Sequence, residues 1–378
     1  MELKDLRNKI DSIDKRLLPL FLERMKVASE VARIKAEQSL PILNRSRERE
    51  ILAAVTQKSE GMERYAHRLY TEIFELSRAY QGSLLMPKAP VTEAMVSRLT
   101  ESEMIFPSTG TVACQGVEGA YSGMAADRIF PRGNIVYFKS FEAVFDAVES
   151  GLCSFGVVPL ENSTNGSVRK VVELLCRKRV SVVRSARLCI RHELLARKGI
   201  QLSEVTEIYS HSQAIGQCSE FLASLGDKVK IVPCENTAVA AEAVSKSDRP
   251  CAAIASHNSA KLYGLNSLGV NIGDSENNYT RFLCITKDEK VYAGADRIAL
   301  IISLEHKPGA LYEALAKLSA HGVNLIKLES YPKPGSDFEF MFYFEMEASL
   351  FDKDVVSMLA DMERESESFR ILGNYSEI

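Results

Sequence analysis

Apolar residues recur at Leu3, Leu6, Ile10, Ile13, Leu17 and Leu20, then at Val27, Val31 and Ile34. The steps alternate between three and four, the spacing of one helical seam. This predicts a first helix of about 36 residues, roughly 54 Å long. Pro19 falls inside it and removes a backbone hydrogen bond, but the seam keeps its phase on both sides, so a bent helix is expected rather than two. A second helix is predicted over about Ser46–Ser59. A third covers roughly Met62–Leu85, with Leu69, Ile73, Leu76, Tyr80 and Leu84 inward.

The pattern then changes. Residues 86–108 hold three prolines and little periodicity beyond a short helical patch, as a linker would. From Thr111 to about Thr286 short apolar strands alternate with helices: "TVACQG", "NIVYF", "FGVVPL", "VSVVRSA", "TEIYSH", "KIVPC", "CAAIAS" and "RFLCIT" are strand patterns. That alternation predicts an α/β sheet unit. From Asp296 the order is strand, helix, strand, strand, helix, strand, the arrangement of a small ferredoxin-like regulatory domain.

Composition sets limits on function. The chain has 378 residues, which favours two or three domains over one core. The net charge of −3 gives no whole-chain reason to expect nucleic acid as a partner. Eight cysteines lie scattered with no CxxC pair, so reduced buried thiols in a cytoplasmic protein are expected, and no metal. The N-terminus is charged throughout, unlike a signal peptide, and no apolar run approaches the ~20 residues of a membrane span.

One seam position breaks the pattern. Extending the 3-4 alternation from Leu20 calls for an apolar residue at 24, where the chain has Arg24. A snorkelling arginine is one explanation. The other is a cationic site inside a bundle, which needs an anion to be tolerated. Lys35 lies eleven residues on, about three turns, and so shares the face of Arg24. Arg7 lies seventeen residues earlier, roughly 26 Å along the axis, too far to share a small ligand in the same chain. An antiparallel partner chain would cover the seam and bring its own Arg7 to this Arg24. Arg47 and Glu48 open the second helix, and Ser77 and Gln81 interrupt the inward face of the third. Cations, a carboxyl group, an amide and a hydroxyl in an apolar bundle fit a small dicarboxylate with an ether oxygen.

Together "LRNKIDSIDKRLL", "LERMKVASEVARIK", "NRSRERE" and "SRAYQ" resemble the all-helical chorismate mutase family. The resemblance implies an intertwined homodimer, or a higher homo-oligomer, in which Arg24, Lys35, Arg47 and the second chain's Arg7 bind the carboxylates and ether oxygen of chorismate. It places Glu48 on the hydroxyl, Gln81 on the ether oxygen and Ser77 near a carboxylate. Asn44 stands where a familiar member has aspartate. A pericyclic rearrangement needs no nucleophile and no cofactor, only conformational trapping and well-placed cations.

In the α/β segment the stretch "NNYTRFLCI" sets Thr280 and Arg281 at the mouth of a strand that reads as fully buried. Its leading Asn277 and Asn278 look like ordinary turn residues. Three other strand exits are polar. "CQGVEGAYSG" carries Ser122, "PLENSTNGSV" carries Glu161, Asn162, Ser163 and Thr164, and "YSHSQAIGQC" carries Ser210, His211 and Gln217. Singly each is ordinary helix capping; together they predict one crevice at the carboxyl ends of strands. The same motifs, with "AAIAS" and "LYGL", closely resemble prephenate dehydratase over about 175 residues. The resemblance implies two lobes like those of a periplasmic binding protein, with Thr280 protonating the departing ring hydroxyl of prephenate as CO2 leaves. Arg281 is then a candidate for fixing a carboxylate or the cleft. A nucleophilic triad at His211 has no orienting partner in the sequence.

In the last segment "HKPGALYEALAKL" and "VNLIKLESYP" resemble the ACT regulatory domain that follows prephenate dehydratases. Gly309, Ala310 and Leu311, with Glu329 and Ser330, are then implied to bind L-phenylalanine. Tyr331 stands where the family usually has arginine. The expected domains are 1–86 (mutase), 87–109 (linker), 110–288 (dehydratase) and 295–378 (ACT). The expected function is a bifunctional enzyme of phenylalanine biosynthesis, inhibited by its end product. Two rivals are an amino-acid sensor, which leaves the arginine-bearing seam and Thr280 unexplained, and a dehydratase whose helical segment only dimerises the chain.

Overall fold

The computed structural model describes residues 3–38, 40–85, 89–99, 105–333 and 340–378. The chain divides into two compact units, residues 1–101 with 298–371 and residues 102–297 with 372–378.

The first unit opens with α1 (Leu3–Glu37), α2 (Arg45–Gln57) and α3 (Glu63–Leu85). α1 runs unbroken through Pro19. Of its residues only Ala28 and Ala32 are buried, and the apolar seam lies open: Leu6, Ile10, Ile13, Leu17 and Leu20 are all exposed. α2 starts where the Asn44 side chain accepts the Arg47 N–H at 3.0 Å, an N-cap. The stretch read as a linker contains α4 (Pro90–Leu99). Its first turn is anchored, because the Val91 and Thr92 N–H groups donate to the Glu363 carboxylate at 2.9 and 3.0 Å.

The second unit contains β1 (Thr111–Gln115), α5 (Tyr121–Ile129), β2 (Asn134–Phe138), α6 (Phe141–Glu149), β3 (Phe155–Asn162), β4 (Gly166–Ser167), α7 (Arg169–Arg177) and β5 (Ser181–Cys189). It continues with β6 (Glu193–Ala196), β7 (Glu207–His211), α8 (Ser212–Gly216), α9 (Ser219–Ser224), β8 (Lys230–Cys234), α10 (Thr237–Lys246), β9 (Cys251–Ala255), α11 (His257–Tyr263), β10 (Asn266–Gly269) and β11 (Tyr279–Thr286). There are two lobes. In one the strand order is β5-β11-β3-β1-β2; in the other it is β10-β6-β9-β7-β8. β1 and β3 run parallel, whereas β11 is antiparallel to both β3 and β5. Central strands covered on both faces become continuous apolar runs, as in "CAAIA" of β9, buried at every position. The two chain crossings between the lobes are tied together: Ile190 N–H donates to Asn278 O at 2.7 Å and Ile272 N–H to His192 O at 3.0 Å.

The C-terminal elements are β12 (Arg297–Ser303), α12 (Ala310–Ala320), β13 (Asn324–Pro332), β14 (Phe340–Glu347), α13 (Lys353–Arg364) and β15 (Ser368–Glu377), with strand order β13-β14-β12-β15. Helices α12 and α13 pack on α3 within the first unit. Gly82 on α3 permits this: a Cβ there would lie 2.3 Å from the Asp361 carboxylate. The end of β15 belongs to the second unit, where Ser376 and Glu377 pair with Arg184 and Ser185 of β5. Gly373 lies so close to β5 that a Cβ would sit 1.9 Å from Val182 O, so no larger residue fits without moving backbone.

Candidate functional sites

The second unit holds a cavity of about 380 Å³ between its lobes. Its wall includes Gln115, Tyr121, Ser122, Asn162, His192, His211, Gln217, Asn236, Thr280 and Phe282. Among the described residues that wall holds no arginine or lysine, and Glu235 is its acidic member.

Strand register separates the two polar residues of "NNYTRF". On β11, Thr280 is the partner of Asn162 on β3, and Arg281 is the partner of Glu161. Side chains alternate along a strand, so Thr280 and Arg281 point to opposite faces. Thr280 faces the cavity. Arg281 is buried away from it, with its guanidinium 2.7 Å from Glu161 and 3.9 Å from Glu377. Glu377 is also held by Arg297 at 3.0 Å. The expectation that Glu161 and Arg281 meet the substrate is therefore corrected, because they pair with each other; of the two roles expected for Arg281, these ion pairs accord with fixing the cleft and not with holding a carboxylate of the substrate. Ser210 is corrected likewise, because it is fully buried and donates its hydroxyl to Ile254 O at 2.7 Å. Ser163 donates to Asn277 O at 2.7 Å and accepts from Tyr279 N–H at 2.9 Å, which holds the loop instead of lining the cavity.

The remaining polar groups form one network. Asn162 Oδ1 accepts the backbone N–H groups of Thr164 and Asn165, both at 3.1 Å, and the Thr164 hydroxyl at 2.6 Å. The opposite, donating end of this amide shares its two hydrogens among Asn278 Oδ1 at 2.7 Å, Thr280 Oγ1 at 2.9 Å and Tyr279 O at 3.1 Å. Asn278 Nδ2 then donates to Gln217 Oε1 at 3.0 Å, and Gln217 Nε2 donates to Thr164 Oγ1 at 2.8 Å. Asn278, read in the sequence as an ordinary turn residue, is 4 % exposed and sits inside this network. Its burial could not be read from a pair of asparagines before a strand. His192 was missed as well, because it lies in an undistinguished stretch between β5 and β6. Its Nε2 is 2.9 Å from Gln217 Oε1, and burial pushes its pKa down against the opposing pull of that hydrogen bond. Ser122, at the start of α5, and His211, which caps α8 by accepting Gln213 N–H, complete the wall.

The first unit holds a second cleft, of about 360 Å³, lined by Arg24, Lys35, Asn44, Arg47, Glu48, Phe74, Ser77, Arg78 and Gln81 among others. Arg24 is the break in the α1 seam. Its guanidinium bonds Ser77 Oγ and lies 5.5 Å over the Phe74 ring. Lys35 donates to Ile42 O, and burial pushes its pKa down while Glu48 pulls it up. Glu48 pairs with Arg78 at 2.5 Å, a partner the sequence did not suggest. Arg47 reaches outward to Glu50 at 3.1 Å. Gln81 is 7 % exposed, and its Oε1 has no partner among the described residues. Arg7 is exposed on α1 and is not part of this cleft's wall.

In the C-terminal elements Gly309 has φ +90° and caps α12, a left-handed conformation that favours glycine. Ala310 and Leu311 follow in the first turn of that helix. On β13, Glu329 pairs with Lys327 at 2.9 Å and receives the Tyr331 hydroxyl, with Ser330 between them in sequence. Glu329 and Ser330 do not line the small cleft beside Ala310.

Residues 6–82 match the family described as chorismate mutase type II, and residues 112–290 match prephenate dehydratase. The chain is 30 % identical over 375 residues to a bifunctional chorismate mutase/prephenate dehydratase of Aquifex aeolicus, covering 99 % of this chain and 98 % of that one. It is 35 % identical over 314 residues to arogenate dehydratase/prephenate dehydratase 2 of Arabidopsis thaliana, covering 80 % of each. Among solved structures it resembles a prephenate dehydratase from Arthrobacter aurescens in complex with L-Phe, with TM-score 0.65 and 28 % identity, covering 70 % of this chain and 89 % of that one.

Proposed function

The chain belongs to the bifunctional chorismate mutase/prephenate dehydratase family, and we propose that its two clefts are the two active sites. It has both activities: chorismate is rearranged to prephenate, and prephenate loses water and CO2 to give phenylpyruvate. We assign the mutase to residues 1–86, a linker to 87–109, the dehydratase to 110–288 and an ACT regulatory domain of ferredoxin-like fold to 295–378. The reduced cysteines fit a cytoplasmic enzyme.

The observation that carries the dehydratase assignment is the direction of the network ending at Thr280. The Asn162 amide donates to Thr280 Oγ1, so the threonine proton is left to be given elsewhere. As the ring C–C bond to the carboxylate breaks, its electron pair enters the ring and the ring C–O bond breaks. Thr280 delivers its proton to the departing oxygen, which leaves as water, and regains a proton from solvent. Substrate carboxylates are held by backbone N–H groups and dipoles at the starts of α5 and α10, which border the cavity.

In the mutase, Arg24, Lys35 and Arg47 supply positive charge where the ether oxygen becomes anionic, Gln81 turns an amide toward that oxygen, and Ser77 holds Arg24. Glu48 binds the substrate hydroxyl, and Arg78 steadies its carboxylate. The open apolar seam of α1 supports a second copy packed along it, whose Arg7 completes the site. L-phenylalanine binds paired ACT domains near the Gly309 turn and Glu329 and favours a less active state. Tyr331 changes the coupling because it cannot supply arginine's forked charge.

Three outcomes test this reading. Thr280→Val keeps the shape and removes the donor, so dehydratase turnover falls about 10²–10⁴-fold with mutase rate unchanged; a near-normal rate removes Thr280 from the mechanism. Arg7→Ala and Arg24→Ala each abolish mutase activity, and mixed dimers of the two recover part of it. Verified heterodimers without recovery would place Arg7 outside the site. Millimolar phenylalanine inhibits dehydratase activity in the full chain, measured by titration at fixed prephenate. A full chain that neither responds nor binds phenylalanine in calorimetry contradicts the sensing role.

A further inference from the structure

The backbone of the turn after β3 fixes one more group of the dehydratase network. Amide nitrogens can only donate. The Thr164 and Asn165 N–H groups therefore set the oxygen end of Asn162, and with it the orientation of every amide downstream. Asn162 must present Nδ2 to Asn278 Oδ1, Asn278 must present Nδ2 to Gln217 Oε1, and Gln217 must present Nε2 to Thr164 Oγ1. Gln217 Oε1 is thus an acceptor, and His192 Nε2, 2.9 Å away, must carry a hydrogen. The other ring nitrogen, Nδ1, is buried and has no partner among the described residues, so nothing rewards its protonation. His192 is 3 % exposed and lines the cavity, and its backbone carbonyl is tied to Ile272 N–H at the crossing between the lobes.

We infer that His192 is a positioning residue of the dehydratase, its neutral Nε2–H acting as the second donor that holds in place the Gln217 amide, which packs in the cavity wall against the Asn278 and Thr164 partners of Asn162. With His192 and Asn278 both donating to Oε1, the Gln217 amide can turn only its nitrogen toward Thr164 and Asn162. Without His192, one donor remains to hold a side chain that also forms part of the cavity wall. The imidazole acts through Gln217 and takes no proton from the substrate.

This inference rests on the dehydratase reading above, and its test separates the two. His192→Leu removes the donor at similar volume, and His192→Gln places an amide N–H near the former Nε2. Both are measured in the full chain by steady-state dehydratase kinetics, with mutase rate on the same samples as the check on folding. Misplacement of catalytic groups by about 1 Å can cost on the order of 10²-fold, so His192→Leu lowers kcat about 10- to 100-fold with little change in KM. His192→Gln restores most of that loss. A leucine variant with wild-type kcat overturns the inference, as does equal loss in both variants with raised KM, which would make the ring itself the contact. If the leucine variant does not fold, the glutamine variant decides alone: near-normal kcat supports the donor role and a loss refutes it. Failure of the parent reading shows instead as a wild-type chain that does not turn over prephenate.

Discussion

Two backbone N–H groups, those of Thr164 and Asn165, determine the direction of the side-chain amide network that runs from Asn162 through Asn278 and Gln217 in the α/β cavity. A backbone amide cannot reverse its role, whereas a carboxamide or a hydroxyl can. By holding Asn162 Oδ1, the turn after β3 points the amide nitrogen at Thr280 Oγ1, Asn278 Oδ1 and Tyr279 O, and the register of β11 against β3 puts the threonine within 2.9 Å, where its oxygen can only accept from that nitrogen. The chemistry assigned to Thr280 depends on this direction more than on proximity. A threonine that donated its hydrogen to a neighbour would have none ready for a leaving group.

The same strand pair explains why the guanidinium beside Thr280 is structural. A two-residue alternation sends Thr280 to the cavity and Arg281 to the other face, where Glu161 and Glu377 surround it. Polar residues at a strand mouth signalled a site, but the signal did not say which face each one served. The eight strand patterns read from apolar runs correspond to β1, β2, β3, β5, β7, β8, β9 and β11. The short β6 and β10 escaped notice because their runs are brief. Asn278 and His192 escaped because their importance comes from burial and from partners distant in sequence, and neither leaves a periodic trace.

The helical part shows the reverse balance. Its defining feature, an arginine breaking an apolar seam, was legible from spacing alone, since helical periodicity places Arg24 and Lys35 on one face. What spacing could not reveal was the company these residues keep. Arg78 pairs with Glu48, and the C-terminal helices α12 and α13 pack on α3 within the same compact unit. The close approach at Gly82 and the capture of the α4 start by Glu363 join segments more than 250 residues apart, and no local pattern encodes such contacts.

The central claim is that the donor direction at Asn162 makes Thr280 a proton donor, and Asn162→Asp tests it most directly. The aspartate keeps the size and can still accept the Thr164 and Asn165 N–H groups, but when ionised it donates nothing. Thr280 would then turn its hydrogen toward the carboxylate. Kinetics of the variant at neutral pH are predicted to show dehydratase kcat reduced on the order of 10²-fold or more, as for loss of a general acid, with mutase kcat unaltered. A variant that dehydrates prephenate at the wild-type rate would contradict the account.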